Sequence, residues 1–166
     1  MVTGSDGLAF VVFRASSVAG PVEVRASSEG ATDGVVEVVV GVGGLMELPE
    51  GNGIALIGET ATHPENHWGT TGMVSALQNL GVGFLSRFGK PIEVNDMSLP
   101  LGGLFDLGAD WQPPHVEHRV GLSADLRTSG RTPAELRFIQ DVLEELGGGV
   151  HDETRAPAPH YHLRMR

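Results

Sequence analysis

With 166 residues the chain has room for one core-bearing domain plus a flanking piece. Its 40% hydrophobic and 19% charged residues exclude a disordered class. A formal charge of -10 argues against a basic nucleic-acid footprint, and the absence of cysteine excludes disulfide frameworks and thiolate-bound zinc. No window approaches the ~18 unbroken apolar residues of a membrane span, and Met1 to Gly20 lack the basic and apolar regions of an export signal.

From Met1 to Glu47 the pattern predicts three short strands: Leu8 to Arg14, Val22 to Ala26 and Val35 to Val42. Each is a β-branched or aromatic run bounded by Gly, Ser, Asp or Pro, which is hairpin and sandwich chemistry. The 24 glycines agree with a turn-rich, sheet-rich chain. Leu48 to Asn66 reads as loop around a short strand at Ile54 to Ile57. Met73, Ala76, Leu77, Leu80, Phe84, Leu85 and Phe88 fall at helical spacing, and Gly89 and Pro91 end that helix. Gly81 and Gly83 inside it each cost about 1 kcal/mol relative to alanine unless they permit close packing on a sheet. A strand at Ile92 to Met97 follows, then the turn-rich segment SLPLGGLFDLGADWQPP.

The clearest helix is Pro133 to Leu146, with Thr132 as N-cap, Glu135 completing a capping box, and Leu136, Ile139, Val142, Leu143 and Leu146 as its buried stripe. Gly147 to Gly149 stop it. A loop to Pro159 leads to a last strand, Tyr161 to Met165, in which His160 and His162 share one face with Tyr161 opposite.

Two stretches carry the chemistry: PPHVEHRVGLSADLR, from Pro113 to Arg127, and HYHLRM near the end. A catalytic zinc takes about three ligands from His, Asp or Glu and leaves a fourth position for water. His118, Asp125 and His162 are the proposed ligands, with His115 and His160 beside them. Alternate residues of a strand lie about 6 to 7 Å apart, so His162 can bind metal while His160 sits next to the metal's water. Gly121 lets the chain bend back between His118 and Asp125. A His2Asp set leaves zinc with a net positive charge, suited to polarising a carbonyl and lowering the pKa of water toward ~7. His160 or His115 would then handle the proton and the oxyanion.

HVEHRVGLSADL followed by HYHLRM resembles the zinc peptidases of the lysostaphin, D-Ala-D-Ala peptidase and hedgehog group, nearest the penicillin-insensitive murein endopeptidases. Their His-x6-Asp motif stands here as His118 through Asp125, their His-x-His as His160 through His162, and the HxxH start is His115 and His118. The resemblance implies metal ligands at His118, Asp125 and His162, a catalytic His160 and a further active-site histidine at His115. It also implies a small α+β fold, an antiparallel sheet with flanking helices, and cleavage of short peptide bonds in peptidoglycan. Ala124 departs from the bulkier residue the family often has beside the aspartate. The N-terminal TGSDGLAFVVFRASSVAGPVEVRASSEG resembles the end of a bacterial immunoglobulin-like repeat. Residues 1–47 are then expected to be part of such a domain, with Met1 not the start of a folding unit, and 48–166 to be the peptidase-like domain; the alternative is that the N-terminal strands are extra edge strands of the main domain.

Among other polar residues, His63 and His67 are expected in an exposed or substrate-facing loop. Asp96 caps a turn or orients a ligand histidine. Arg119 is exposed or meets a substrate carboxylate, Trp111 closes the core or stacks on substrate, and Glu144 and Glu145 lie on a solvated helix face. The functional expectation is a zinc-dependent metallopeptidase or amidase using a His2Asp zinc-bound water. It would act outside the cytoplasm on peptide or peptidoglycan, with its export signal outside this chain. The alternatives are an inactive metal-containing adhesion module and a metal-free structural domain.

Overall fold

A computed structural model describes residues 4–61, 65–104 and 115–166, apart from the side chain of residue 115. In chain order its elements are β1 (Gly20–Ala26), β2 (Gly34–Val40), β3 (Met46–Glu47), β4 (Ile54–Leu56), β5 (Trp68–Gly69), α1 (Thr71–Phe88), β6 (Ile92–Val94), a 3-10 helix (His115–Val120), β7 (Ser123–Arg127), α2 (Pro133–Glu145), β8 (Gly149–Glu153) and β9 (His160–Arg164). The fold is α+β, with an all-β N-terminal part and mostly antiparallel sheets.

Five strands in the order β4-β6-β7-β9-β8 form the central sheet, in which only β4 and β6 run parallel. Alternation divides its residues between two faces. Val94, Ala124, Leu126, Tyr161 and Leu163 turn inward and are buried with Leu77, Leu80 and Phe84 of α1 and Ile139 and Leu143 of α2. Asp125, His160 and His162 therefore lie on the opposite face, held by strands whose inward residues are locked in the core.

Helix α1 begins where Thr70 accepts a hydrogen bond from Met73 N–H, and it ends at Gly89 in the left-handed region. Gly81 is the reason this helix lies so near β4: a Cβ there would come within 2.8 Å of Ile54 Cγ1. The helix-propensity cost of Gly81 is thus offset by close helix–sheet packing, and Gly83 similarly faces the ring of Phe138. Helix α2 has the full capping box, with Thr132 and Glu135 bonded reciprocally and Pro133 in the first turn. Its predicted stripe holds at Ile139 and Leu143, but Leu146 is exposed because the helix closes before it and Gly147 turns the chain away. Leu85 of α1 is exposed too.

The N-terminal part differs from its expected three strands. The hairpin of β1 and β2 forms, from Gly20↔Val40 to Ala26↔Gly34. Leu8 to Arg14 forms no strand, and Leu8, Phe10, Val11, Val12 and Phe13 are exposed. A β-prone run becomes a strand only when another edge takes up its backbone groups, and no described segment pairs with it. Three further short strands were illegible: β3 and β5, which pair over two residues each, and β8, which pairs with the expected last strand, β9.

Candidate metal centre

Three elements bring the proposed ligands together. Asp125 and His162 are direct cross-strand partners on β7 and β9. His118 comes from the 3-10 helix, which lies over this face of the sheet and contacts β7. Gly121 makes the return possible at φ +72°, and a Cβ there would press on Leu45 Cδ2 at 2.5 Å and on the Gly69 and Thr70 backbone at 3.0 Å. Its carbonyl accepts from Thr70 N–H at 2.9 Å, tying the turn to the start of α1. Glu117, next to His118, forms an ion pair with Arg164 of β9, so the turn is fastened to the strand that bears His162.

All three ligand residues are buried, and their donor atoms converge. His118 Nε2 lies 3.3 Å from His162 Nδ1 and 3.4 Å from Asp125 Oδ1, while His162 Nδ1 and Asp125 Oδ1 are 2.8 Å apart. Ligand bonds of about 2.0 to 2.1 Å around a tetrahedral zinc set its ligand atoms about 3.3 to 3.4 Å apart, so two of the three edges already match. The third is a hydrogen bond in which His162 Nδ1–H donates to the carboxylate, and that proton leaves when a cation takes its place. His118 donates Nδ1–H to the Met97 carbonyl at 2.8 Å, which turns its Nε2 lone pair toward the centre. A backbone carbonyl behind a ligand histidine is the usual way of fixing tautomer and ring direction. These residues could hold a metal ion in type, spacing and orientation.

Electrostatics point the same way. Burial by itself would raise the pKa of the Asp125 carboxyl. The hydrogen bond from His162 and the surrounding imidazoles of His118 and His160 outweigh that and keep it well below the ordinary carboxylate range. A buried anion is thus maintained where a cation would sit.

His160 stands one row along β9. Its Nδ1–H donates to Ala158 O at 2.8 Å, and its Nε2 lies 3.7 Å from Asp125 Oδ2 and 3.3 Å from Glu153 Oε2. Among the described residues the sequence reading missed Glu153 and also His151, which β8 places opposite His160 and His162. Their segment, GVHDE, has one strong β-former and reads as loop; the only available signal was the His-x-Glu alternation facing His-x-His. Two clefts adjoin the centre. One, of about 490 Å³, is reached by His162, and the other, of about 620 Å³, by Asp125 and His160.

Other expectations resolve differently. His67 is buried, its Nε2 3.0 Å from Ile57 O and 3.2 Å from Val94 O and its Nδ1 3.7 Å from Glu59 Oε1, so it ties loop to sheet. Asp96 accepts amide hydrogens from Asn66, at 2.6 Å, and from Asn95, and its carbonyl accepts from Asp125 N–H at 2.7 Å. It braces the ligand aspartate through the backbone, with no histidine as partner in those bonds. Arg119 is half-buried, and Glu144 and Glu145 are exposed as expected. His63, Trp111 and the side chain of His115 lie outside the described residues. No protein-family model and no curated protein matches the chain.

Proposed function

We propose that the chain is a zinc-dependent hydrolase of short peptide bonds, a metallopeptidase or amidase of the murein endopeptidase type, acting on peptidoglycan outside the cytoplasm. The observation that carries this reading is the buried convergence of His118 Nε2, Asp125 Oδ1 and His162 Nδ1 at near-tetrahedral spacing. It is supported by the sequence pattern that places a second histidine two residues before the last ligand.

Zinc held there supplies a Lewis acid that polarises a carbonyl and makes a water nucleophilic near neutral pH. The chain's own groups do the rest. Asp125 lowers the net charge of the centre, and the Met97 carbonyl keeps His118 directed at it. His160, anchored through Nδ1 to Ala158, offers Nε2 to take a proton from the attacking water and pass it on to the leaving amine, with Glu153 Oε2 3.3 Å from that nitrogen to stabilise the imidazolium in between. The N-terminal β part is read as belonging to an immunoglobulin-like repeat that places the domain on its substrate.

The test is incubation of zinc-supplied protein with purified peptidoglycan and analysis of the released peptides. Wild type should release new amino termini, and His160→Ala should lose turnover while retaining zinc. Zinc binding without cleavage by wild type would contradict the hydrolase reading and favour an adhesion module.

A further inference from the structure

The two clefts beside the metal centre carry opposite charge. Arg164 and Arg166 line the cleft that His162 enters, against a single side-chain carboxylate, Glu117. Glu93 and Asp96 line the one that His160 enters, against a single guanidinium, Arg127, with Asp125 committed to the centre. The Glu117 ion pair does not exhaust Arg164, whose side chain is 57% exposed and whose guanidinium has five N–H donors. In the other cleft Arg127 approaches Glu93 only to 3.9 Å, and the amides of Asn66 and Asn95 orient the Asp96 carboxylate without neutralising it.

The strand register sets the spacing between these charges. Asp125 pairs with His162 in the middle row, Arg127 with His160 in the row on one side, where the Val94↔Leu126 pairing also sets Glu93, and Ser123 with Arg164 in the row on the other, while Asp96 stands nearer the middle row with its carbonyl bonded to Asp125 N–H. Each step is two residues along a strand, so the outer rows are about 13 Å apart, the span of about four extended residues. A short peptide is an ion pair of about that length, with an ammonium at one end and a carboxylate at the other.

We propose that the site takes an extended peptide of about four residues that reaches past the metal centre from one cleft to the other, its carboxylate toward Arg164 and Arg166 and its ammonium toward Glu93. This rests on the reading of the centre as a peptide hydrolase, and it adds polarity and length: the central bond of such a peptide lies over His118, Asp125 and His162. Substrates with a free charged group within about two residues on each side of that bond bind best, and long neutral chains bind poorly.

The test uses the zinc-supplied full chain and tetra-alanine with its central bond N-methylated against cleavage. The peptide is made uncapped, N-acetylated, C-amidated and doubly capped, and binding is measured by titration calorimetry. Each cap should weaken binding about five-fold. Arg164→Gln should remove only the advantage of the free carboxylate, and Glu93→Gln only that of the free ammonium. Because Arg164 also fastens the His118 turn, Arg166→Gln serves as a second variant, with zinc content checked in each.

Equal affinity for all four peptides, no binding at millimolar concentration, or variants that weaken all four alike would overturn the proposal. Peptidoglycan cleavage is read separately. Charge-dependent binding without cleavage overturns the hydrolase reading and leaves the polarity standing, whereas cleavage with charge-indifferent binding overturns the polarity alone.

Discussion

Replacing Gly121 by alanine should cost far more than a surface methyl group, and it should weaken metal binding as well as the fold. At φ +72° an L-residue sits in the left-handed region, which costs roughly 1 to 2 kcal/mol. The new Cβ would also stand 2.5 Å from Leu45 Cδ2 and 3.0 Å from the Gly69 and Thr70 backbone. Leu45 can rotate its methyl away, but the backbone can yield only if the turn shifts, and overpacking of this kind costs about 1 to 3 kcal/mol. The sum is about 2 to 5 kcal/mol, a large share of the roughly 5 to 15 kcal/mol that holds a typical domain together. Urea unfolding of metal-free Gly121→Ala measures it, and chelator competition measures zinc affinity in the same protein. Zinc affinity should fall at least about ten-fold, the effect of misorienting one ligand, because the turn that shifts is the one carrying His118. Adding Leu45→Ala should recover part of the contact cost and leave the backbone strain in place, a coupling that a double-mutant cycle isolates. A loss under about 0.5 kcal/mol with unchanged zinc affinity would refute the assignment of Gly121 as the hinge of the site.

Other outcomes follow from the core and from α2. Leu80→Ala removes a fully buried side chain between helix and sheet and should cost about 2 to 5 kcal/mol in chemical denaturation; a loss below 1 kcal/mol would contradict the packing described. Glu135 accepts from Thr132 N–H at 2.7 Å and lies 2.7 Å from Lys90 Nζ. Burial opposes its charge, but the bonds from Lys90 and Thr132 prevail and hold its carboxyl below the ordinary glutamate value. Its contribution is therefore complete above the unfolded-state pKa and disappears as pH falls through the lowered native value. Glu135→Gln should lose about 1 kcal/mol at neutral pH, and the gap from wild type should close in acid; a gap constant across that range would contradict this account.

The site was legible in the sequence to the extent that its parts are local. His-x-His on a strand fixes two imidazoles on one face by alternation alone, and the capping box of α2 lies within a few residues of sequence. Gly121 was legible as a bend because only a few backbone conformations return a chain on itself. What was not legible depends on pairings that the local pattern does not show. GVHDE becomes β8 because β9 offers its edge, so Glu153 and His151 reached the site unnoticed. His67 looked like a loop residue between Pro64 and Gly69, yet two carbonyls more than nine residues away in sequence give it a buried place. LAFVVFR shows the converse: strong β-propensity yielded no strand where no described segment supplies a ladder.

Metal content of the purified protein bears most directly on the central claim. Elemental analysis of wild type, His118→Ala and His162→Ala, each refolded with zinc and desalted, should give about one zinc per wild-type chain and almost none in either variant. Wild type without stoichiometric metal, or variants that keep it, would contradict the assignment of His118, Asp125 and His162 as a zinc centre.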